Sequence, residues 1–142
     1  MAGDEPLRYE LRVRYGECDP QGVVFNANYL AYFDNSINEL VRAACGSYQA
    51  MLDRGVDIVV AEAQLRFKAP ARFDEQLELE IALTHLGTTS IVSEHRISRD
   101  GELLVEGTLR HVMVDPAALA KTPIPDWLRE ALAQWVVEGG GG

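Results

Sequence analysis

Tyr15-Gly-Glu-Cys-Asp-Pro-Gln-Gly-Val-Val-Phe-Asn-Ala-Asn-Tyr29 is the stretch from which the rest of the chain is read. Within it Asp19 is followed by Pro20, whose ring presets a turn, and by Gly22, which permits one. Val23, Val24 and Phe25 then bring an apolar patch close to that carboxylate, and Asn26 and Asn28 are both suited to cap a helix. From Tyr29 onward Leu30, Phe33, Ile37, Leu40, Val41 and Ala44 recur at helical spacing, and Gly46 supplies a stop. A carboxylate therefore sits on a turn shortly before the positive end of a long helix. Unpaired N–H groups and the dipole at such an end can hold a carbonyl oxygen as it turns negative. That arrangement suits acyl-group chemistry.

Outward from this stretch the periodicity changes. Leu7, Tyr9, Leu11, Val13 and Tyr15 alternate with Arg8, Glu10, Arg12 and Arg14, the pattern of a half-buried strand with Tyr15 as its last inward residue. Met51 to Gly55 reads as a short helical turn. Ile58–Lys68 begins apolar and settles into alternation, Gln76–Leu86 alternates throughout, and Thr89–Ser98 is a further strand. Arg99-Asp100-Gly101 is a strong hairpin signal, and Leu103–Val114 is the most apolar strand, with Gly107 expected at a bulge. Beyond Pro123 and Pro125, Asp126 is expected to cap a helix from Trp127 to Val137. Short turns join the strands, so neighbours pair antiparallel. Five strands, one long early helix and a C-terminal helix make a two-layer α+β domain over residues 1–138. Gly139–Gly142 reads as a flexible tail.

Composition removes several classes of function. The 142 residues are 47% apolar and 25% charged, enough for a core without disulfides or metals. No run approaches a membrane span, and the acidic N-terminus lacks an apolar signal region, so no stable membrane insertion is expected. A net charge of −9 argues against nucleic-acid binding. Cys18 and Cys45 form no paired motif, which favours a reducing, cytoplasmic setting.

The opening stretch also carries a resemblance. Asp19, Gly22, Val23, Val24, Phe25, Asn28 and Tyr29 fall in register with the signature of the 4-hydroxybenzoyl-CoA thioesterase-like branch of the hotdog-fold acyl-CoA thioesterases. Arg66-Phe-Lys-Ala-Pro-Ala-Arg-Phe-Asp74 resembles that family's strand leading into a Pro-Ala-x-Phe-x-Asp turn, and the likeness runs over about residues 7–136. The resemblance implies a hotdog fold, an antiparallel sheet wrapped around one long helix. It also implies a dimer joined sheet edge to sheet edge, often doubled to a tetramer, with each active site between subunits. The implied substrate is an acyl-CoA, with no cofactor beyond the coenzyme A it carries.

By the same resemblance Asp19 is the catalytic carboxylate, as base on water or as nucleophile. The Asn26 backbone N–H would polarise the thioester carbonyl, and Tyr15 would border the site. Gly22, Val23, Phe25, Asp34 and Ser90 would contact substrate. Many relatives carry a His where this chain has Asn26, which shifts the work to Asp19 and the helix end. Lys68, Arg72, Arg96 and Arg99 match the coenzyme A phosphates by charge alone.

Other chemistries fit less well. Cys18 lacks a neighbouring His, and the adjacent carboxylate opposes thiolate formation. His85, His95 and His111 fall on different strands without metal-ligand spacing, so they are expected to be satisfied or exposed. A hotdog dehydratase would need a His in the opening stretch. A non-catalytic acyl-thioester binder would have no use for Asp19.

Overall fold

Residues 5–137 are described by a computed structural model; the expected tail Gly139–Gly142 lies outside them. The long helix α1 spans Asn26–Cys45, and Tyr29, Tyr32, Phe33, Ser36, Ile37, Leu40 and Val41 form its buried face. It ends where Gly46 takes φ +94° and donates its N–H to the Arg42 carbonyl. A shorter helix α2, Tyr48–Asp53, follows, capped by the Ser47 hydroxyl accepting from the Ala50 N–H at 2.9 Å.

The strands are β1 (Leu7–Arg12), β2 (Asp57–Phe67), β3 (Gln76–Leu86), β4 (Ser90–Arg99), β5 (Glu102–Asp115) and β6 (Ala120–Lys121). They pair antiparallel in the order β1-β3-β4-β5-β2, with β6 added to β5. This is the expected α+β hotdog arrangement, with one more strand than the alternation revealed. Two-residue β6 is too short to leave a periodic signal. The inward residues Leu77, Leu79, Ile81, Leu83, Leu104, Leu109 and Met113 are fully buried against α1. The β4–β5 hairpin turns through Asp100 at φ +49° and Gly101 at φ +82°, the left-handed pair that its sequence demands.

Two expectations are corrected. The C-terminal helix, α3, runs Asp126–Ala133 and not to Val137, and Pro125 occupies its cap position. Residues 134–137 instead extend along β3: the Leu83 N–H donates to the Trp135 carbonyl, and the Val137 N–H donates to the Leu83 carbonyl, both at 2.9 Å. They satisfy the part of the β3 edge that β1 is too short to reach. Gly107 is likewise not a bulge. The register shifts fall at Val60/Glu62, Leu83/His85 and Ile97/Ser98, whereas Gly107 pairs regularly with Leu65 and His95. A Cβ there would lie 2.2 Å from the Gln64 carbonyl oxygen and 2.7 Å from the Phe33 ring. Glycine is required because Phe33 sinks onto the sheet at this point, stacked on His95 at 4.5 Å.

His85 is exposed, but His95 and His111 are buried, and the Nδ1 of each has no partner among the described residues. His95 Nε2 bonds the Ser93 hydroxyl at 2.8 Å. Burial, aided by His111, pushes the His95 pKa down to about 3, and burial pushes His111 down to about 4. Both imidazoles are therefore neutral in the fold and take up protons on unfolding below about pH 6.5. Stability is fully present above that pH and declines below it. Between pH 6.5 and 5 the expected loss is about 2 kcal/mol per histidine, read by urea unfolding. A His95→Phe variant should show a shallower decline; an equal decline would remove His95 as a cause.

Candidate active site

The site is built where β1 stops and α1 starts. β1 ends at Arg12 because its partner β3 begins at Gln76, opposite Arg12. Val13 closes the ladder, donating to the Glu75 carbonyl and accepting from the Asp74 N–H. With no strand left to pair, Tyr15–Glu17 curls into one 3-10 turn. Tyr15 is consequently not the last inward residue of a strand. It is 80% exposed and meets Phe73 edge to face at 5.8 Å.

Asp19 opens the next turn. The Gly22 N–H donates to the Asp19 carbonyl at 2.9 Å, Gly22 sits at φ +81°, and the Asp19 N–H returns to the Val23 carbonyl. The side chain reinforces this: Asp19 Oδ1 accepts from the Gln21 N–H at 2.8 Å and the Val23 N–H at 3.4 Å. Oδ2 has no protein donor among the described residues. Outside contacts fix the loop, since the Val24 N–H donates to the Ala71 carbonyl and the Phe73 N–H to the Gly22 carbonyl. Ala71 is held in turn, its N–H donating to the Tyr29 hydroxyl at 3.0 Å.

The helix start differs from expectation. Phe25 is the cap residue, and no side chain caps it; Asn26 is already the first helical residue. Asn28 turns its amide back, Nδ2 donating to the Glu17 carbonyl at 2.8 Å. Extended backbone through Phe25 places the side chains of Asn26 and Asn28 beyond capping reach. Among the described residues the N–H groups of Asn26 and Ala27 have no protein acceptor, so the helix presents two free donors.

Asp19, Val23, Val24, Phe25, Asn26, Tyr29 and residues 67–70 line a cleft of about 380 Å³. On the other side of the loop Tyr15, Cys18, Asp19, Pro20, Gly22 and Phe73 line a second cleft of about 390 Å³. Asp19 is the residue common to both. Burial and the Asp19 and Glu17 charges push the Cys18 thiol up, so it stays protonated near neutral pH. Among the described residues no three His, Cys, Asp or Glu side chains gather as a metal site.

The remaining expected residues are not brought together here. Asp34 faces solvent and lines neither cleft. Ser90 begins β4, whereas the far end of β4, Arg99, reaches the Pro70 carbonyl and Glu75 beside the loop. Ser90 is thus roughly 30 Å along the strand from that end, so one chain alone does not bring it to Asp19. Of the cations, Lys68 lines the first cleft. Arg99 is engaged by Glu75 and Glu102, Arg96 pairs with Glu106, and Arg72 has no carboxylate within 4.0 Å among the described residues. Tyr29, Tyr32 and Phe33 were expected to receive the acyl group, and of these only Tyr29 lines the cleft. Sequence reasoning passed over Phe67 as a cleft wall and Glu17 as a hub. Phe67 carried a signal in its place on the Arg66–Asp74 motif; Glu17 carried none.

A curled antiparallel sheet around one helix, with Asp19 and Asn26 lining one cleft at the helix start, is a hotdog-type arrangement. The comparisons agree: the model of the thioesterase-like superfamily matches residues 13–132, and the chain belongs to that superfamily. An acyl-CoA thioester hydrolase of Escherichia coli O157:H7 is 34% identical over 120 residues, spanning 84% of this chain and 90% of that protein. A hypothetical protein from Aquifex aeolicus superposes with a TM-score of 0.84 at 27% identity, covering 89% of this chain and 99% of that one. A gentisyl-coenzyme A thioesterase does so with a TM-score of 0.80 at 26% identity, covering 90% and 100%.

The helix start yields a stability prediction. Asn26→Ala removes no capping bond and should cost less than about 0.5 kcal/mol in urea unfolding, below the usual cost of losing a cap. Asn28→Ala removes the bond to Glu17 and should cost about 1 kcal/mol. The reverse order would refute this assignment of the first helical turn.

Proposed function

We propose that this chain is a thioester hydrolase acting on acyl-CoA, releasing the free acid and coenzyme A. The carrying observation is that Asp19, with Oδ2 unengaged, lines the same cleft as the Asn26 backbone, whose N–H is free. A thioester seated there turns its carbonyl oxygen toward the Asn26 and Ala27 N–H groups, which hold the charge that develops on attack. Asp19 delivers the nucleophile by taking a proton from water. Collapse of the tetrahedral intermediate breaks the C–S bond, and the proton passes to the departing thiolate. The Asn26 side chain is a bystander. Coenzyme A enters only as part of the substrate, and the reaction calls on no metal or redox group. The cleft walls Val23, Phe25, Tyr29 and Phe67 suit an aromatic or short-to-medium aliphatic acyl group. The name of the gentisyl-coenzyme A thioesterase gives weight to an aryl group.

The proposed assembly is a homo-oligomer of two or four chains, joined through the outer edge of β2. Among the described residues that strand pairs with β5 only, and Val59, Val60 and Phe67 are 42%, 44% and 53% exposed on it. An open edge of eleven residues that carries exposed apolar side chains is a pairing liability unless a partner covers it. Because Phe67 also walls the cleft, the partner would complete the site. Among the described residues no helix is long and apolar enough to cross a membrane. The free thiols of Cys18 and Cys45 support a cytoplasmic setting.

Hydrolysis is tested over a panel of acyl-CoAs by release of free thiol. Asp19→Asn should lower turnover by at least ~100-fold with KM little changed. Wild-type turnover in that variant would end the mechanism. Light scattering at micromolar concentration should give two or four chains, and a monomer would exclude the shared site.

A further inference from the structure

Glu17 has no place in the chemistry above, yet it is the most heavily bonded side chain of the loop. Its side chain is only 16% exposed. Oε1 accepts from the Arg14 N–H at 2.8 Å and from the Tyr32 hydroxyl at 2.9 Å, and Oε2 accepts from the Arg14 guanidinium at 3.0 Å. Its carbonyl accepts from the Phe25 N–H at 3.0 Å and from Asn28 Nδ2 at 2.8 Å. Burial alone would raise the Glu17 carboxyl, but the bonds from Arg14 and Tyr32 outweigh it and hold it below the ordinary carboxylate value. The Tyr32 hydroxyl, buried and facing this charge, is pushed well up and stays a donor.

A carboxylate so placed costs desolvation that only good geometry repays, whereas an apolar residue would fill the space without that cost. The contacts indicate what the geometry serves. Glu17 lies two positions before Asp19. Its backbone is bonded to Phe25, the residue immediately before the free N–H of Asn26, and its side chain to Tyr32 in the second turn of α1. It is therefore joined to both halves of the site.

Resting on the reading of Asp19 and Asn26 given above, we propose that Glu17 is a positioning residue. Through Tyr32, Phe25 and Asn28 it sets the spacing between the Asp19 carboxylate and the oxyanion donors of α1. An error of about 1 Å in such a spacing costs roughly 100-fold in rate, with substrate affinity little altered.

The test compares Glu17→Gln, Tyr32→Phe and the double variant with Glu80→Gln, which loses only the surface pair with Arg8 at 3.0 Å. On any acyl-CoA that the wild type hydrolyses, each single variant should lose about 10–100-fold in kcat with KM within about threefold. The double variant should fall little further, since both changes break one link. Glu80→Gln should match wild type. Circular dichroism at the assay temperature confirms that each variant is folded; should Glu17→Gln not fold, Tyr32→Phe decides alone. Amide exchange at Arg14 and Phe25 should speed up by about tenfold in both single variants. Folded variants with kcat within twofold of wild type, or with unchanged exchange, overturn the proposal. A wild type inactive on every acyl-CoA would refute the function instead, and the exchange rates would still decide the clamp.

Discussion

A helix of twenty residues with one apolar face is marginal on its own in water and is held by what it packs against. Here the sheet curls around that face, so where the sheet can hold α1 determines where both helix ends emerge. The N-terminal end comes out beside the end of β1, where β3 has no residues left to offer. The chain between Arg12 and Asn26 must cross this gap with its polar groups satisfied. It does so through the turn at Glu17, the turn at Asp19 and the ties to residues 71–75. A carboxylate and the start of α1 line one cleft as a result of this crossing. Truncating Phe33 or Leu40 to Ala would thus damage the site as well as remove about 3–5 kcal/mol and 2–5 kcal/mol of core packing, respectively.

What the sequence revealed is what local chemistry decides. The apolar spacing of α1, the left-handed pair Asp100-Gly101 and the turn at Asp19 each depend on residues adjacent in the chain. The fold class follows from these and from strand alternation. The misread parts depend on distant partners. Tyr15 continues the alternation of β1 perfectly, and only the start of β3 at Gln76 removes it from the strand. Asn26 and Asn28 have good capping chemistry, but the path of the backbone through Phe25 leaves the cap position to a residue without it. The helical pattern of α3 runs on past Ala133, yet the unfilled edge beside Leu83 claims the segment. Glu17 looks like any surface glutamate until Tyr32 is folded against it.

The same distinction separates the two kinds of charge in this acidic chain. On the outer face of the sheet Arg8 meets Glu80, and Arg96 and Lys68 meet Glu106, in partly exposed pairs that contribute little individually. At the loop, Glu17 and the Arg99–Glu75 pair at 2.8 Å are half-buried and hold particular backbone segments in place. Residue counts cannot tell one from the other.

The glycine at position 107 has an angular consequence. By admitting the Phe33 ring against the sheet backbone, it seats α1 at one point, stacked on His95. Asn26 lies seven residues toward the N-terminus, roughly 10 Å along the axis. A tilt of only about 5° about that seat therefore carries the Asn26 N–H sideways by about 1 Å, the scale on which the alignment proposed for it with Asp19 would be lost. A methyl group at position 107 would act on the start of α1 as a wedge under a lever.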